Sequence, residues 1–92
     1  MNVARRGEVW LADLGLAAKT RPVLILSIPF DDHERALYSV VPHTTATRGG
    51  RFEITTNERW LNAGAFDIQG LRPIPGAVLI KKNWDPRRNH AQ

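Results

Sequence analysis

Hydrophobic and polar positions along this chain fall into short segments, separated by glycine, proline and small polar residues. Gly7 precedes Glu8-Val9-Trp10-Leu11-Ala12-Asp13-Leu14, where Val9 and Leu11 alternate with Glu8 and Trp10 as in a strand with one face inward. Gly15 to Thr20 reads as a loop. Pro22 opens Val23-Leu24-Ile25-Leu26-Ser27-Ile28, a continuous aliphatic run that predicts a strand covered on both faces. The proline stands at the strand start, where a missing N–H is tolerated. Pro29 to Ala36 is a polar connection, and Leu37-Tyr38-Ser39-Val40-Val41 is a third strand ended by Pro42. Arg48-Gly49-Gly50 signals a turn before the alternating strand Phe52-Glu53-Ile54-Thr55. Asn57 to Leu61 predicts one short helical turn capped by Asn57. Gly64 to Leu71 alternates Phe66 and Ile68 with Asp67 and Gln69, and Ala77 to Ile80 is the last apolar segment. Short β-like runs with frequent turns predict a mainly β chain, a small barrel or sandwich. Phe52, Phe66, Ile68 and Trp10 read as core, although Trp10 in the first strand also suits base stacking.

Composition narrows the chemistry. A chain of 92 residues makes one small domain. Zero cysteines exclude a disulfide framework, a thiolate zinc site and cysteine catalysis. No apolar run approaches the ~20 residues of a membrane span, and Arg5 and Arg6 bring charge too early for a signal-peptide core. A cytoplasmic location is the expectation. The net charge is +4, with most of the excess in the last twelve residues, where Lys81, Lys82, Arg87 and Arg88 face only Asp85. A basic tail of this kind attracts nucleic acid or is a solvated end.

No metal or cofactor is expected. His33, His43 and His90 lack ligand spacing, and Asp31 and Asp32 are adjacent, so in extended chain they point apart. There is no glycine-rich phosphate loop, and neither Ser27 nor Ser39 lies in a nucleophile elbow. What remains is a polar group at the ends of two apolar strands. Thr20 and Arg21 precede one, and His43, Thr44 and Thr45 follow the other. Antiparallel pairing of those strands makes Arg21 and Thr44 neighbours. Arginine beside a hydroxyl, both on rigid strand ends, is a phosphate clamp that stabilises a phosphorane without metal. RNA supplies its own nucleophile, the 2′-OH. The alternative is structural: Arg21 pairs with Glu8 or Asp13, and Thr44 bonds a turn amide.

Three ordered stretches resemble the MazF/PemK-type toxins: R-R-G-E-V-W-L-A-D-L-G with K-T-R-P-V-L-I-L-S (residues 5–15 and 19–27), V-V-P-H-T-T-A-T-R-G-G-R-F-E-I (40–54), and G-A-F-D-I-Q-G-L-R-P-I-P with L-I-K-K (64–75 and 79–82). The resemblance implies a small SH3-like barrel with one or two short helical turns, spanning residues 1–82. Residues 83–92 then form a basic, poorly ordered tail. It implies the toxin of a toxin–antitoxin module, usually a homodimer, that cleaves single-stranded RNA without metal at short motifs. The products carry 2′,3′-cyclic phosphate and 5′-OH ends. Its partners are RNA, a cognate antitoxin whose disordered tail blocks the RNA groove, and promoter DNA only through the antitoxin complex, with no membrane.

The arginine of the family's R-P-V motif matches Arg21, and its catalytic threonine matches Thr44. Arginine stays protonated, so Arg21 is assigned charge stabilisation, and Thr44 a hydrogen bond to the scissile phosphate. Thr20, Thr45, Arg48, Arg51 and Gln69 are candidate RNA contacts, Arg48 and Arg51 as phosphate holders beside the Gly49-Gly50 turn. His43 has a pKa suited to a base at pH 7, but strand alternation turns it away from the face of Thr44 unless a bulge intervenes. Two departures stand out. The first loop, Leu16 to Thr20, is short and lacks the acid that many members place before the arginine. Where members carry a C-terminal amphipathic helix, Asn83 to Gln92 contains Pro86 and no apolar period. Apolar barrel surface is then left for a dimer partner, for Trp84 folding back, or for another chain. Two other functions are compatible with the barrel: a non-catalytic or decayed nucleic-acid-binding module that still pairs with an antitoxin, and a toxin aimed at a protein.

Overall fold

The computed structural model describes residues 4–15, 19–28 and 37–87. The polar connection expected at Pro29 to Ala36 lies outside them. Seven strands form, β1 (Val9–Asp13), β2 (Thr20–Ile25), β3 (Leu37–Thr44), β4 (Glu53–Thr56), β5 (Gly64–Asp67), β6 (Arg72–Pro75) and β7 (Leu79–Trp84). They pair antiparallel in the order β4-β5-β3-β2-β1-β7, with β6 also on β3. This is the mainly β, SH3-like barrel architecture the sequence implied.

β3 organises the sheet. Its residues Val40 to Pro42 pair with Ile25 to Val23 of β2. On its other side it pairs first with β6, from Leu37↔Pro75 to Val40↔Arg72, and then with β5, at His43↔Phe66 and Thr44↔Ala65. The two strand ends that carry Arg21 and Thr44 therefore lie next to each other. The ladder's last pair on that side is Val23↔Pro42, and Arg21 and Thr44 each stand two residues beyond it.

Alternation along the strands feeds two cores. Trp10, Ala12, Val23, Ile25, Tyr38, Val40, Ile74 and Leu79 fill one. Val9, Val41, Leu61 and Phe66 fill the other, with Leu24, Leu26, Ile68 and Trp84 against it. The unbroken apolar run of β2 is thus explained, since Val23 and Ile25 face one core and Leu24 and Leu26 the other. Each buried aliphatic or aromatic side chain contributes roughly 1.5–3 kcal/mol. Trp84 stacks on Trp60, ring centroids 5.5 Å apart and planes 6° from parallel.

Four details differ from the sequence reading. Asn57 to Leu61 makes a turn closed by Leu61 N–H to Glu58 C=O (3.2 Å), not a helical turn. Burial of Leu61 in the second core and the Trp60 stack outweigh a weak local helix signal. The short 3-10 turns lie instead at Ile68–Gly70, where Asp67 caps the Gln69 amide, and at Gly76–Val78. Phe52 is not core: it is 41% exposed, with the Arg51 guanidinium 4.8 Å from its ring centroid. It precedes β4 at the rim of the sheet, where no second layer covers it. Finally, β6 holds Pro73 and Pro75, which hid it from sequence reading; a strand paired on one side tolerates their missing donors. β7 continues through Trp84, two residues past the expected end of the barrel at 82.

Glu8 is 2% exposed and ties the two ends of the described chain together. Its carboxylate accepts from the Arg5 amide (2.9 Å), from Trp10 Nε1 (2.8 Å), from Lys82 Nζ (3.4 Å) and from Arg87 Nη2. Asp85 receives Lys82 Nζ (3.2 Å) and the Arg87 amide (2.9 Å). Burial by itself raises the Glu8 pKa, but the Trp10 and Arg5 hydrogen bonds and the Lys82 charge together hold it below the ordinary 4.5. A depressed folded-state pKa gives stability that is present above the unfolded value and lost as pH falls through the folded one. Glu8→Gln is expected to cost about 2 kcal/mol at pH 7 in urea unfolding. The gap between variant and wild type should close as the pH is lowered past 4.5. An unchanged midpoint at pH 7 would show that the network adds no net stability.

Candidate functional site

Three adjoining cavities run across the strand ends as one groove. The first, about 290 Å³, is lined by Lys19, Thr20, Arg21, Pro22, His43, Thr45 and Asn62. The second, about 220 Å³, shares Arg21 and His43 with it and adds Thr44, Pro42, Leu14, Asp67 and Arg72. The third, about 300 Å³, shares Thr44 and Asp67 with the second and continues to Arg48, Phe52, Glu53 and Gln69. Arg21 and Thr44 line the middle cavity together. Thr20 and Thr45 stand at one end of the groove, and Arg48 and Gln69 at the other. Arg51 sits at the rim, over the Phe52 ring.

Local structure fixes these groups. Thr44 Oγ1 accepts from the Ala46 amide (3.1 Å), the turn bond foreseen as the structural alternative. That bond uses a lone pair and leaves the hydroxyl hydrogen to be donated into the cavity. Glu53 holds the turn at its side by accepting from the Arg48 amide (3.0 Å) and the Gly49 amide (2.8 Å). Gly49 has φ +70°, a conformation that favours glycine. Asp67 receives the Gln69 amide at 3.1 Å. Both groove carboxylates thus accept backbone amides, while Lys19, Arg21, Arg48 and Arg72 supply positive charge. The balance suits a polyanion backbone.

His43 is 2% exposed. Its ring packs edge-on to Phe66 at 5.1 Å, and Nε2 lies 2.9 Å from Thr56 Oγ1. Burial first, and the Arg21 charge second, push its pKa below the ordinary 6.5, so the imidazole is neutral at pH 7. Alternation does set His43 and Thr44 on opposite faces of β3, with Val41 in one core and Val40 in the other. His43 nevertheless lines the same middle cavity as Thr44. It stands one residue beyond the last β2–β3 pair, near the end of β3.

The sequence reading did not single out Lys19, Asn62, Asp67 or Arg72. Asp67 carried a usable signal, an aspartate two residues before Gln69, the spacing of a local side-chain-to-amide turn. Asn62 lies in a connection and Arg72 in a proline-marked strand, and neither position has a period to read. Among the described residues, no three His, Asp or Glu side chains come together as a metal site would require. Among the same residues, no helix is long and apolar enough to cross a membrane.

No protein-family model and no curated protein matches the chain. Solved structures do. A MazE-MazF crystal structure from Deinococcus radiodurans (form II) has a chain with a TM-score of 0.68 at 19% identity, over 89% of this chain and 81% of that one. This chain shares its fold. A mycobacterial endoribonuclease in complex with its cognate antitoxin gives a TM-score of 0.69 at 21% identity, over 92% of this chain and 78% of that one. Form III of the Deinococcus complex gives 0.66 at 19% identity, over 88% of this chain and 80% of that one. At these identities the likeness is one of fold.

Proposed function

We propose that this chain is the toxin of a toxin–antitoxin module and a metal-independent endoribonuclease acting on single-stranded RNA. The observation that carries the reading is the pairing of Arg21 and Thr44 in one cavity of a basic groove. Support also comes from the fold, which occurs in an endoribonuclease bound to its antitoxin. RNA lies along the groove with phosphates near Arg48, Arg51 and Lys19, and with Thr20, Thr45 and Gln69 at hydrogen-bonding range of the strand. At the scissile phosphate, Arg21 neutralises the charge that builds on the phosphorane oxygens. The Thr44 hydroxyl donates to one of them. Fixed donors aimed at developing charge are worth about 10²–10³-fold each. The 2′-oxygen attacks phosphorus, the bond to the 5′-oxygen breaks, and a 2′,3′-cyclic phosphate and a 5′-OH result. An antitoxin with an acidic, disordered segment would compete for the groove through the same cations. A homodimer, a cytoplasmic location and promoter contact only through the antitoxin belong to the same proposal.

The test is incubation of the purified protein with a long single-stranded RNA in EDTA, with the new ends identified by mass spectrometry. Discrete cuts with cyclic-phosphate ends are expected. Loss of activity in EDTA would overturn the metal-free step. A folded protein that binds this RNA without cutting it would instead be the non-catalytic barrel.

A further inference from the structure

We propose that His43 is the general base of this site, with Thr56 and Gly64 as the positioning residues that hold it in the competent tautomer. The inference rests on the ribonuclease reading above and supplies the proton acceptor that Arg21 and Thr44 lack.

The tautomer follows from a chain of hydrogen bonds. Thr56 Oγ1 donates to the Gly64 carbonyl (3.3 Å). With its hydrogen on that carbonyl, the Thr56 oxygen accepts Nε2–H across the 2.9 Å contact with His43, which is the tautomer we assign. Nδ1 is left with the lone pair. Among the described residues no buried side-chain nitrogen or oxygen is without a hydrogen-bond partner. The ring's hydrogen bond there is the one through Nε2. Nδ1 is thus the edge left for a substrate proton, on a ring that lines both the first and the second cavity. Arg21 and His43 are the two side chains common to the first and second cavities. A phosphate held by Arg21 consequently brings its ribose to the imidazole.

The rest of the surroundings keep the ring neutral and still. Phe66 packs on it from β5. Gly64 permits the approach, since a Cβ there would stand 2.9 Å from His43 Cε1. The charged groups sharing its cavities are Lys19, Arg21, Asp67 and Arg72. Three of these four are cations, and Asp67 is engaged by the Gln69 amide. Glu53 on β4 is turned to the Arg48 and Gly49 amides.

In the step, Nδ1 takes the 2′-OH proton as the 2′-oxygen bonds to phosphorus. The bond from phosphorus to the 5′-oxygen breaks, and the 5′-oxygen takes a proton from water. The imidazolium then returns its proton to solvent, so the reaction consumes no co-reactant.

Two measurements test this. The first is the pH profile of cleavage with wild type, His43→Gln and Thr56→Val. Wild-type kcat should fall as the pH drops through the His43 pKa, below 6.5. His43→Gln should lose about 10²–10⁴-fold in kcat with little change in KM, and should lose the acid limb. Thr56→Val keeps the ring and removes its tautomer lock; a loss of about tenfold in kcat is expected. The second is ¹⁵N NMR of the imidazole in the full chain, where Nε2 should carry the proton and Nδ1 the lone pair. An Nδ1–H tautomer overturns the proposal whatever the kinetics and whether or not His43→Gln folds. Wild-type cleavage with an unaltered His43→Gln profile overturns His43 alone. Failure of the wild type to cleave RNA overturns the ribonuclease reading and this step together.

Discussion

Arg21→Ala should reduce RNA cleavage by at least about 10²–10³-fold and leave the barrel folded. The side chain stands half-buried at the open end of β2, outside both cores, so urea unfolding should shift by about 1 kcal/mol or less. The mechanism predicts more than a loss. Arg21→Lys keeps the charge but not the planar fork, and should recover only part of the rate, because an ammonium lacks the two parallel N–H donors that meet two phosphorane oxygens in a fixed geometry. Cleavage rates and unfolding midpoints on the same three proteins decide the matter. A rate unchanged in Arg21→Ala removes the residue from the site. A collapse of the midpoint makes it structural instead.

Gly64→Ala should be among the most damaging single substitutions in the chain. A Cβ at this position would lie 2.1 Å from the Thr44 carbonyl oxygen and 3.0 Å from its carbon. Those are backbone atoms of the neighbouring strand, so no side-chain rotation relieves the overlap. β5 would have to move away from β3 at the pairs His43↔Phe66 and Thr44↔Ala65, opening the second core beside Phe66. Overpacking against a fixed backbone costs about 3 kcal/mol or more, a large share of the stability of a domain of this size. Thermal unfolding by circular dichroism should show a drop of more than about 10 °C. A midpoint within a few degrees of wild type would mean that β5 shifts freely and that its close approach does not set the position of Thr44.

The fold and the middle of the groove were legible from the residues, for physical reasons that can be named. The run from Val23 to Leu26 has apolar side chains at every position, which a strand with two covered faces explains. Its antiparallel neighbour from Leu37 follows directly from the short chain between them. That pairing alone brings Arg21 to Thr44. Less was visible where two signals conflict. Arg72–Pro75 looks like a breaker because of its prolines, yet it pairs on one side where their missing donors go unused. Phe52 reads as core by type, but its place before an edge strand leaves no layer above it. His43 was legible as a candidate and illegible in position. Alternation gave its face correctly, but its place in the cavity lining beside Thr44 is a feature of three-dimensional packing that no period shows. Asn62 and Lys19 sit in connections, where backbone conformation and not periodicity places the side chain; Lys19 has a positive φ of 54° that no residue preference announced.

The stacked indoles have a topological meaning. Trp60 belongs to the connection between β4 and β5, and Trp84 ends β7. In the order β4-β5-β3-β2-β1-β7 those are the two opposite margins of the sheet. The strip of strands is therefore fastened into a ring on that side by two side chains, not by a further row of backbone bonds. Such a clasp has no register to slip and no ladder to unzip. It parts or closes as one event, while every strand keeps its neighbours.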